Sequence, residues 1–373
     1  MKKIGLIINP IAGMGGRVGL KGTDGENIIE KAIELGSKKE SGIKAQRALE
    51  ELKDVKDDFI IYLASGEMGE DVVDKLGYKY EVIYNPGKKT SRDDTLKLAQ
   101  KLFEEKVDLI VFVGGDGTAR DIFSAVETKI PAVGVPAGVK IHSPVYGKTP
   151  ELTGRLVRDF IDGKELDYRD EEVVDLDEEA FRNDKVEVRL FGYLKVPFDQ
   201  TYLQNQKSPT PQSDEKAQES IALEIIDSME DDVYYIIGSG TTPMHILEEL
   251  GLDYTILGVD IVQNKKLVAK DVNEKEIIDI IKGHKAKLIV TPMGGQGYVF
   301  GRGNQQLSQN VLRLLEKDDI TIIATEGKLK GLGDNDLLIY TLDDEVDKKL
   351  SGYYRVVIGY GRYLVHRASN GRD

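Results

Sequence analysis

The first half of the chain alternates short runs of apolar, β-branched residues with longer stretches whose apolar residues recur at helical spacing. This alternation is typical of a parallel sheet covered by helices. We therefore predict an α/β fold that begins with a doubly wound parallel-sheet domain. The predicted strands are Ile4 to Asn9, Phe59 to Ala64, Tyr80 to Tyr84, Leu109 to Val113 and Ala132 to Val135, and the predicted helices are Glu26 to Leu35, Ile43 to Leu52, Met68 to Leu76, Arg92 to Glu105 and Ala119 to Glu127.

The pattern changes near the middle of the chain. Asp162 to Glu179 is strongly acidic, and Val186 to Leu194 then alternates apolar and polar residues like a half-exposed strand. We place the domain boundary here. We predict an N-terminal domain over residues 1–165 and a C-terminal domain over residues 166–373. The last segment of the chain is a candidate to pack back on the N-terminal domain.

The second half is predicted to be a mixed α/β domain with antiparallel strands. It opens with Gln204 to Lys216, which is rich in Gln, Ser and Pro and is therefore interpreted as a loop, either a lid or an insertion. Helical candidates separate the strand-like segments that follow it. These segments are Val233 to Ile237, Thr255 to Val262, Leu288 to Val290 and Ile320 to Ala324.

The composition limits the class of protein. A chain of 373 residues is long enough for two domains that share a cleft. No apolar run approaches the roughly 18 residues of a membrane span, and a strand-like segment beginning at Lys2 leaves no space for a signal peptide. We expect a cytoplasmic protein that does not enter membranes.

The net charge and the residue composition limit the kinds of ligand and partner that the protein can bind. The formal net charge of -14 disfavours nucleic acid and anionic membranes as partners. The chain has no cysteine and four histidines, so thiol chemistry is excluded and a dedicated metal cage is not expected. Any phosphate ligand then needs local attraction from glycine amides, helix N-termini, a few cationic side chains and Mg²⁺.

The strongest chemical signal is a glycine-rich loop between a buried strand and a helix. It lies after Leu109 to Val113, at the carboxyl end of a predicted parallel strand, where open α/β sheets bind ligands. Its glycines allow backbone amides to approach phosphate oxygens, and its aspartate is placed to accept a proton or bind Mg²⁺. The alternative is an ordinary tight turn that the aspartate stabilises. The candidate residues are Gly114, Gly115, Asp116, Gly117 and Thr118.

Two further loops of the first half follow predicted strands. One is glycine-rich and is a candidate phosphate cradle or, alternatively, a flexible surface loop; it lacks the Gly-Lys-Ser/Thr ending of a P-loop. The other offers a tight backbone, a lysine and two hydrogen-bonding side chains to a substrate. Asp121, in the helix after the central loop, is a second polar candidate or a residue that favours the helix dipole. The candidates are Asn9, Gly13, Gly15 and Gly16 in the first loop and Gly138, Lys140, His142 and Ser143 in the second.

The second half repeats the combination of strand, glycine loop and helix. Pro243 suits a first helical turn after this loop. A polar glycine-rich stretch from Thr291 to Gln306 follows, in which Arg302 is a candidate for phosphate. The alternative for this stretch is a hairpin around Val299 with a helix capped by Asn304. The candidates are Gly238, Ser239, Gly240, Thr241 and Thr242 for phosphate, and Asp260, Gln296, Arg302, Asn304 and Gln305 for the substrate.

These segments resemble a known superfamily. The strand, Gly114 to Thr118 and the helix are similar to NAD kinases, diacylglycerol and sphingosine kinases and 6-phosphofructokinases, in which Asn9-Pro10 also has a counterpart. With Pro136 to Ser143 and Thr291 to Gln306, the likeness to ATP-NAD kinases or AcoX-type kinases spans most of the chain. It implies phosphorylation of NAD by ATP or polyphosphate with Mg²⁺, a role for Asp116 as catalytic base or metal-associated group, and a homodimer or homotetramer.

One feature of NAD kinases has no clear counterpart. They carry an Asn-Glu pair that holds the nicotinamide-side ribose, and this chain has a single Asn-Glu, Asn273-Glu274. Because Glu276 follows Asn273 by three residues at the start of a helical run, we predict a capping box there. The resemblance implies NAD as the acceptor, whereas the missing pair favours the alternative, which is another small polyol or an acetoin-related metabolite. A nucleotide-binding sensor without turnover is the third interpretation.

Overall fold

The computed structural model describes residues 1–19, 26–87, 89–176, 188–199, 201–204 and 214–371. They form two compact units. The first contains Met1–Met14 and Lys38–Gln206, and the second contains Gly15–Ser37, which includes helix α1 (Glu26–Glu34), and Lys207–Asp373. No helix among the described residues is long and apolar enough to cross a membrane.

The first unit is built on a five-stranded parallel sheet. Its strand order is β3-β2-β1-β4-β5, and every neighbouring pair is parallel. The two central strands are almost wholly buried, which explains their continuous apolar sequences. The strands are β1 (Lys2–Ile8), β2 (Phe59–Ala64), β3 (Tyr80–Tyr84), β4 (Leu109–Gly114) and β5 (Ala132–Pro136).

Five helices connect and cover this sheet. α2 packs against α6, and α4 packs against α5. Right-handed crossovers on a sheet of this order place these two pairs on opposite faces, so the predicted doubly wound fold is confirmed. The helices are α2 (Ser41–Glu50), α3 (Glu70–Leu76), α4 (Arg92–Glu104), α5 (Asp116–Val126) and α6 (Pro150–Ile161), with single 3₁₀ turns at Lys53–Val55 and Gly66–Met68.

A long antiparallel hairpin completes the first unit. It consists of β6 (Asp167–Leu176) and β7 (Val188–Phe198), and it packs on α5 and β5. The predicted boundary at residue 165 assigns this hairpin to the second domain, whereas the structure groups it with the first unit. The buried side chains of Val173, Leu194 and Val196 join the core of that unit, which accounts for the difference.

The second unit contains two sheets. One has the order β10-β9-β8-β11-β13, in which β8, β11 and β13 are parallel and β9 and β10 are antiparallel; the other has the order β12-β14-β16-β15. The mixed sheets confirm the predicted fold class. The strands are β8 (Tyr234–Ile237), β9 (Asp260–Gln263), β10 (Lys266–Ala269), β11 (Ala286–Val290), β12 (Tyr298–Phe300), β13 (Ile320–Ile322), β14 (Leu337–Ile339), β15 (Gly352–Gly359) and β16 (Arg362–Ser369).

The helices of the second unit are mostly short, and a single 3₁₀ turn at Lys317–Asp319 precedes β13. Pro243 lies in the first turn of its helix, as predicted. Besides α1, the helices are Glu215–Asp227, Thr241–Glu249, Glu274–Ile281, Gln309–Leu312, Glu326–Lys330 and Asp344–Leu350.

Three local predictions for the second half need correction or completion. The strand predicted from Thr255 begins only at Asp260, because the Asp260 carboxylate binds the Thr255 backbone and hydroxyl and holds the chain in a turn. Tyr298–Phe300 pairs in parallel with β14 instead of forming a hairpin, and Ser308, not Asn304, caps the next helix. Of the predicted loop from Gln204 to Lys216, residues 205–213 lie outside the described residues, and its last two residues begin a helix.

Candidate active site

The central loops of the first unit lie where its sheet changes direction. From β1 the chain continues to β2 on one side, whereas from β4 it continues to β5 on the other. In open α/β sheets, ligands bind outside the carboxyl ends of the strands at such a switch point, which here lies between β1 and β4. Asn9 follows β1, and its Nδ2 donates to Thr118 Oγ1, which follows β4, at 3.0 Å. Two predicted candidates are thus directly bonded.

Glycines allow three backbone segments to meet at this point. A Cβ atom on Gly114 would lie 2.3 Å from Thr118 Oγ1, and one on Gly138 would lie 2.7 Å from the Cα of Gly115. Gly13 has φ +80°, and a Cβ there would lie 2.1 Å from the Ala137 carbonyl oxygen. Any larger residue would collide with backbone at Gly13 and Gly138 and with the Thr118 side chain at Gly114. The backbone around Gly13, Gly114 and Gly138 therefore meets at one place in the first unit.

Asp116 is the carboxylate at the centre of this site. It is the first residue of α5 and is 4% exposed. The backbone N–H of His142 donates to its Oδ2 at 2.7 Å, and that of Ser143 donates to its Oδ1 at 3.1 Å. The side chain is therefore fixed by two amides of the loop that follows β5.

Burial raises the pKa of Asp116 to about 7. Removing a carboxylate from water disfavours its charged form, which is the largest effect here. The amide of His142 and the hydroxyl and amide of Ser143 lower the pKa, and the nearby charge of Asp175 raises it. A carboxylate with this pKa is half ionised near neutral pH, which suits a group that accepts a proton during a reaction.

Charged side chains on α5 and β6 surround Asp116. Arg120 donates to Asp175 Oδ2 at 3.0 Å, and a Cβ on Gly117 would lie 3.9 Å from the same oxygen. Asp121 is 6% exposed and accepts from Arg92 Nε at 2.6 Å. The structure therefore places Asp121 in an ion pair on the buried side of the helix.

The loop after β5 supplies structure as well as amides. The Ser143 hydroxyl, which is fully buried, donates to the Val174 carbonyl and accepts from the Val174 N–H. His142 is buried, and Lys140 and Gly138 are half-buried. The Tyr146 hydroxyl donates to the Gly115 carbonyl at 2.6 Å. This loop therefore joins the Asp116 site to the β6–β7 hairpin.

The predicted phosphate loop of the second unit lies at the end of β8. Gly240 has φ +122° and precedes the helix Thr241–Glu249. The Ser239 hydroxyl donates to the Gly303 carbonyl at 3.2 Å, so this loop contacts the Thr291 to Gln306 stretch. The Gln218 amide donates to the hydroxyls of Thr241 and Thr242 at 3.3 and 3.4 Å.

The other second-unit candidates have partners within that unit. Asp260 is 1% exposed and accepts from the N–H and hydroxyl of Thr255 and from the N–H of Asp271. Arg302 donates to Gln296 Oε1 at 3.1 Å, and its guanidinium lies 4.4 Å from the centre of the Tyr298 ring.

Glycines of the N-terminal loop also belong to the second unit. Gly15 and Gly16 are part of it, whereas Gly13 belongs to the first unit. A Cβ on Gly16 would lie 3.0 Å from the Gln305 side chain. The glycine-rich loop thus divides between the two units.

The single Asn-Glu pair has a structural role, as predicted. Asn273 Oδ1 accepts from the N–H groups of Lys275 and Glu276, and Glu276 returns a bond to the Asn273 N–H, which completes a capping box. Glu274 accepts from the side chains of Ser308 and Asn310. Both members of the pair are therefore engaged in holding a helix end.

The site offers few ligands to a metal. Among the described residues, no group of three or more His, Cys, Asp or Glu side chains is arranged to hold an ion. Mg²⁺ usually keeps several waters and is bound through one or two carboxylates together with substrate phosphates. Asp116 and Asp175 provide carboxylates of that kind. The donor set fits a Mg²⁺ ion that arrives with a nucleotide.

Some residues around the Asp116 loop and the loop after β8 were not identified from the sequence. Arg120 and Asp175 lie outside any motif, and only their pairing across α5 and β6 reveals them. Tyr146 and Lys328 likewise occur in segments without a recognisable pattern.

The chain was compared with solved structures and with curated proteins. Two solved structures from Bacillus anthracis str. Sterne, one named a diacylglycerol kinase and one provisionally so, are each 15% identical to this chain and cover 47% of it, with TM-scores of 0.25 and 0.26. The matched parts make up 46% and 43% of those chains, less than half of each. No curated protein matches the chain.

Two family models match most of the sequence. The ATP-NAD kinase N-terminal domain matches residues 4–165, and the ATP-NAD kinase C-terminal domain matches residues 230–368. The first match includes the Asp116 site, and the second includes both the loop after β8 and the Thr291 to Gln306 stretch. The chain therefore belongs to the ATP-NAD kinase family, whose members are phosphotransferases with an alcohol group as acceptor.

Proposed function

We propose that this kinase transfers the γ-phosphoryl group of ATP, or a phosphoryl group of polyphosphate, to a ribose hydroxyl of NAD and so produces NADP. Asp116 acts as the general base. It takes the proton of the hydroxyl while the hydroxyl oxygen forms a bond to phosphorus and the bond from phosphorus to the bridging oxygen breaks. The products are NADP and ADP, or NADP and a shortened polyphosphate.

The observation that carries this proposal is the environment of Asp116. The carboxylate is 4% exposed, is held through both oxygens by backbone amides, and has a pKa of about 7. A general base works best when its pKa is near the operating pH and its geometry is fixed before the reaction. An aspartate that only stabilises a turn needs neither a fixed carboxylate geometry nor a pKa near neutral pH.

The surrounding loops support phosphoryl transfer in particular. Such reactions depend on positioning and on stabilising the charge of the transferred group more than on covalent catalysis. The glycines at positions 13, 114, 115 and 117 of the first unit allow backbone amides to approach phosphate oxygens closely. Mg²⁺, held by the nucleotide with Asp116 or Asp175, would neutralise part of the phosphate charge.

The second candidate keeps the chemistry and changes the acceptor to another small polyol or an acetoin-related metabolite. It is favoured by Asn273 and Glu274, which hold a helix end and neighbouring side chains instead of presenting a ribose-binding pair. The third candidate is a nucleotide-binding sensor without turnover. The preorganised carboxylate of Asp116 argues against it.

The test is a direct assay for NADP. The purified protein is incubated with NAD, Mg²⁺ and either ATP or polyphosphate, and NADP is detected with an NADP-specific dehydrogenase. Wild type should form NADP, and Asp116→Asn should lose about 10²- to 10⁴-fold in rate because the proton acceptor is gone. Asp170→Asn, an exposed aspartate on β6, is the matched control and should retain full activity.

The possible outcomes separate the three candidates. If ADP is released with another polyol but not with NAD, the acceptor is that polyol and not NAD. If the protein binds nucleotide without any turnover, the nucleotide-binding sensor is the remaining candidate. A homodimer or homotetramer in the cytoplasm is part of the proposal by family resemblance, and size-exclusion chromatography with light scattering measures the oligomeric state.

A further inference from the structure

The second unit has a switch point of its own. β8 and β11 are neighbouring parallel strands, and the chain leaves β8 towards β9 on one side and β11 towards β13 on the other. A crevice is therefore expected outside the carboxyl ends of β8 and β11, as it is in the first unit. This crevice is formed by the second unit alone, and it is separate from the Asp116 site in sequence.

Side chains from three strand ends meet at this crevice. Lys328, which follows β13, places its Nζ 3.0 Å from Thr291 Oγ1, which follows β11, and 3.5 Å from Thr242 Oγ1, which follows β8. The Thr242 side chain is fully buried. A cation within hydrogen-bonding distance of two hydroxyl groups forms a group that can bind the oxygens of one anion.

The backbone at this point also favours an anion. Gly240 adopts φ +122°, and a Cβ there would lie 3.0 Å from the Thr291 side chain, so the two loops approach closely. The nine-residue helix Thr241–Glu249 then begins, and the first amides of a helix have no acceptor within the helix. These amides carry the positive end of the helix dipole.

An independent observation comes from the adjoining loop. Ser239 donates to the carbonyl of Gly303, and the next residue, Asn304, is 6% exposed. Its Nδ2 donates to the Val299 carbonyl, while its Oδ1 is buried and has no hydrogen-bond partner among the described residues. A buried acceptor without a donor is costly, and a ligand hydroxyl group would satisfy it.

We propose that this crevice binds a phosphoryl group of a hydroxyl-bearing ligand, such as a nucleotide or a sugar phosphate. Lys328, Thr291 and Thr242 hold the phosphoryl oxygens. The formal net charge of -14 repels anions over most of the surface, so saturable phosphate binding requires a local site of this kind. The inference goes beyond the proposed function because it concerns binding by the second unit and requires no turnover.

The experiment measures binding of radiolabelled inorganic phosphate to the full chain by equilibrium dialysis. Lys328→Met should weaken one site about tenfold or more, because a charge-assisted bond is lost. Thr291→Val should weaken the same site severalfold. Lys330→Met, an exposed lysine of the same short helix, should leave the affinity unchanged.

Competition then identifies the source of the phosphoryl group. Displacement by ATP and not by NAD assigns the crevice to the nucleotide, and the reverse assigns it to the acceptor. The proposal is overturned if wild type binds no phosphate, or if folded Lys328→Met and Thr291→Val both bind it as tightly as wild type. Asp116→Asn should keep this binding even if it loses turnover, so failure of the catalytic proposal is distinguishable.

Discussion

At the scale of single residues, the first unit concentrates its chemistry on one carboxylate. Burial and two backbone amides act on Asp116 in opposite directions, and burial has the larger effect on its pKa. The amides fix where the carboxylate points without keeping it fully ionised at neutral pH. Orientation and proton affinity are therefore set by different parts of the structure, and they can be tested separately.

The pH dependence of catalysis tests the proton affinity. A base must be ionised to act, and the pKa of Asp116 is raised to about 7 from its ordinary value of 3.8. We expect kcat/KM to fall about tenfold per pH unit below pH 7 and to level off above it. Initial rates between pH 5 and 9 at low substrate concentration measure this. A flat profile between pH 5 and 8 would contradict the assignment.

Asp175→Asn tests the neighbouring charge. Asp175 raises the pKa of Asp116, so its removal should move the acidic limb of the kcat/KM profile to lower pH. The shift should be small because burial dominates. Asp170→Asn, on the same strand, should leave the limb in place. A limb that stays in place or moves to higher pH in Asp175→Asn would show that the two carboxylates do not interact as described.

At the scale of elements, one hydroxyl group bonds the β6–β7 hairpin to the loop that holds Asp116. A register shift between Val173 and Val174 interrupts the ladder of the hairpin. The backbone of Val174 bonds instead to the buried Ser143 hydroxyl, through both its N–H and its carbonyl. The bulge therefore directs two backbone groups towards the loop that holds Asp116.

Ser143→Ala should destabilise this attachment. It leaves the N–H and carbonyl of Val174 without their partner in a buried position, which costs about 1–3 kcal/mol in the free energy of unfolding. Ser124→Ala is the control: that serine is exposed and bonds the carbonyl of Arg120 in its own helix, so a change within about 0.5 kcal/mol is expected. Urea denaturation measures both. Equal effects would mean that the Ser143 hydroxyl has no special role.

Elements were predictable where one local pattern decides them. Leu109–Gly114 is buried on both faces, so its continuous apolar run identified it, and the glycines after it marked the loop. Thr255 to Val259 has the same β-branched composition but is held in a turn by Asp260, which depends on side-chain bonds that periodicity does not encode. The sequence did not show that the β6–β7 hairpin belongs to the first unit, because this depends on packing between segments that are distant in the chain.

At the scale of the whole molecule, each unit has its own hydrophobic core. Leu350 is fully buried together with Leu288 and Val290 of β11. The strands around Asp116 pack in a different cluster, which contains the residues of β1 and β4. Separate cores predict that a defect in one unit is confined to it.

Leu350→Ala tests this separation. The cavity should cost about 2–5 kcal/mol and loosen the second unit. Hydrogen exchange followed by mass spectrometry should show faster exchange in Ala286–Val290 and unchanged exchange in Leu109–Gly114. Leu102→Ala, fully buried in the first core, should give the opposite pattern. Loosening of both strands by either substitution would show that the cores are coupled.

The site was partly predictable for the same reason as the fold. Asp116 and its glycines lie in one continuous motif, so composition and position identified them. The amides of His142 and Ser143 come from a loop 26 and 27 residues further along the chain, and amides leave no trace in the sequence. Lys328 lies in an ordinary polar helix. Its position is known only once three strand ends are brought together.

The close approach of Gly115 and Gly138 has a consequence for enzyme engineering. Their backbones touch so closely that a single methyl group at either position collides with the other loop. A mutant library intended to widen the choice of acceptor should keep both glycines. Any larger residue at either position would shift the loops that position Asp116, whatever the substrate.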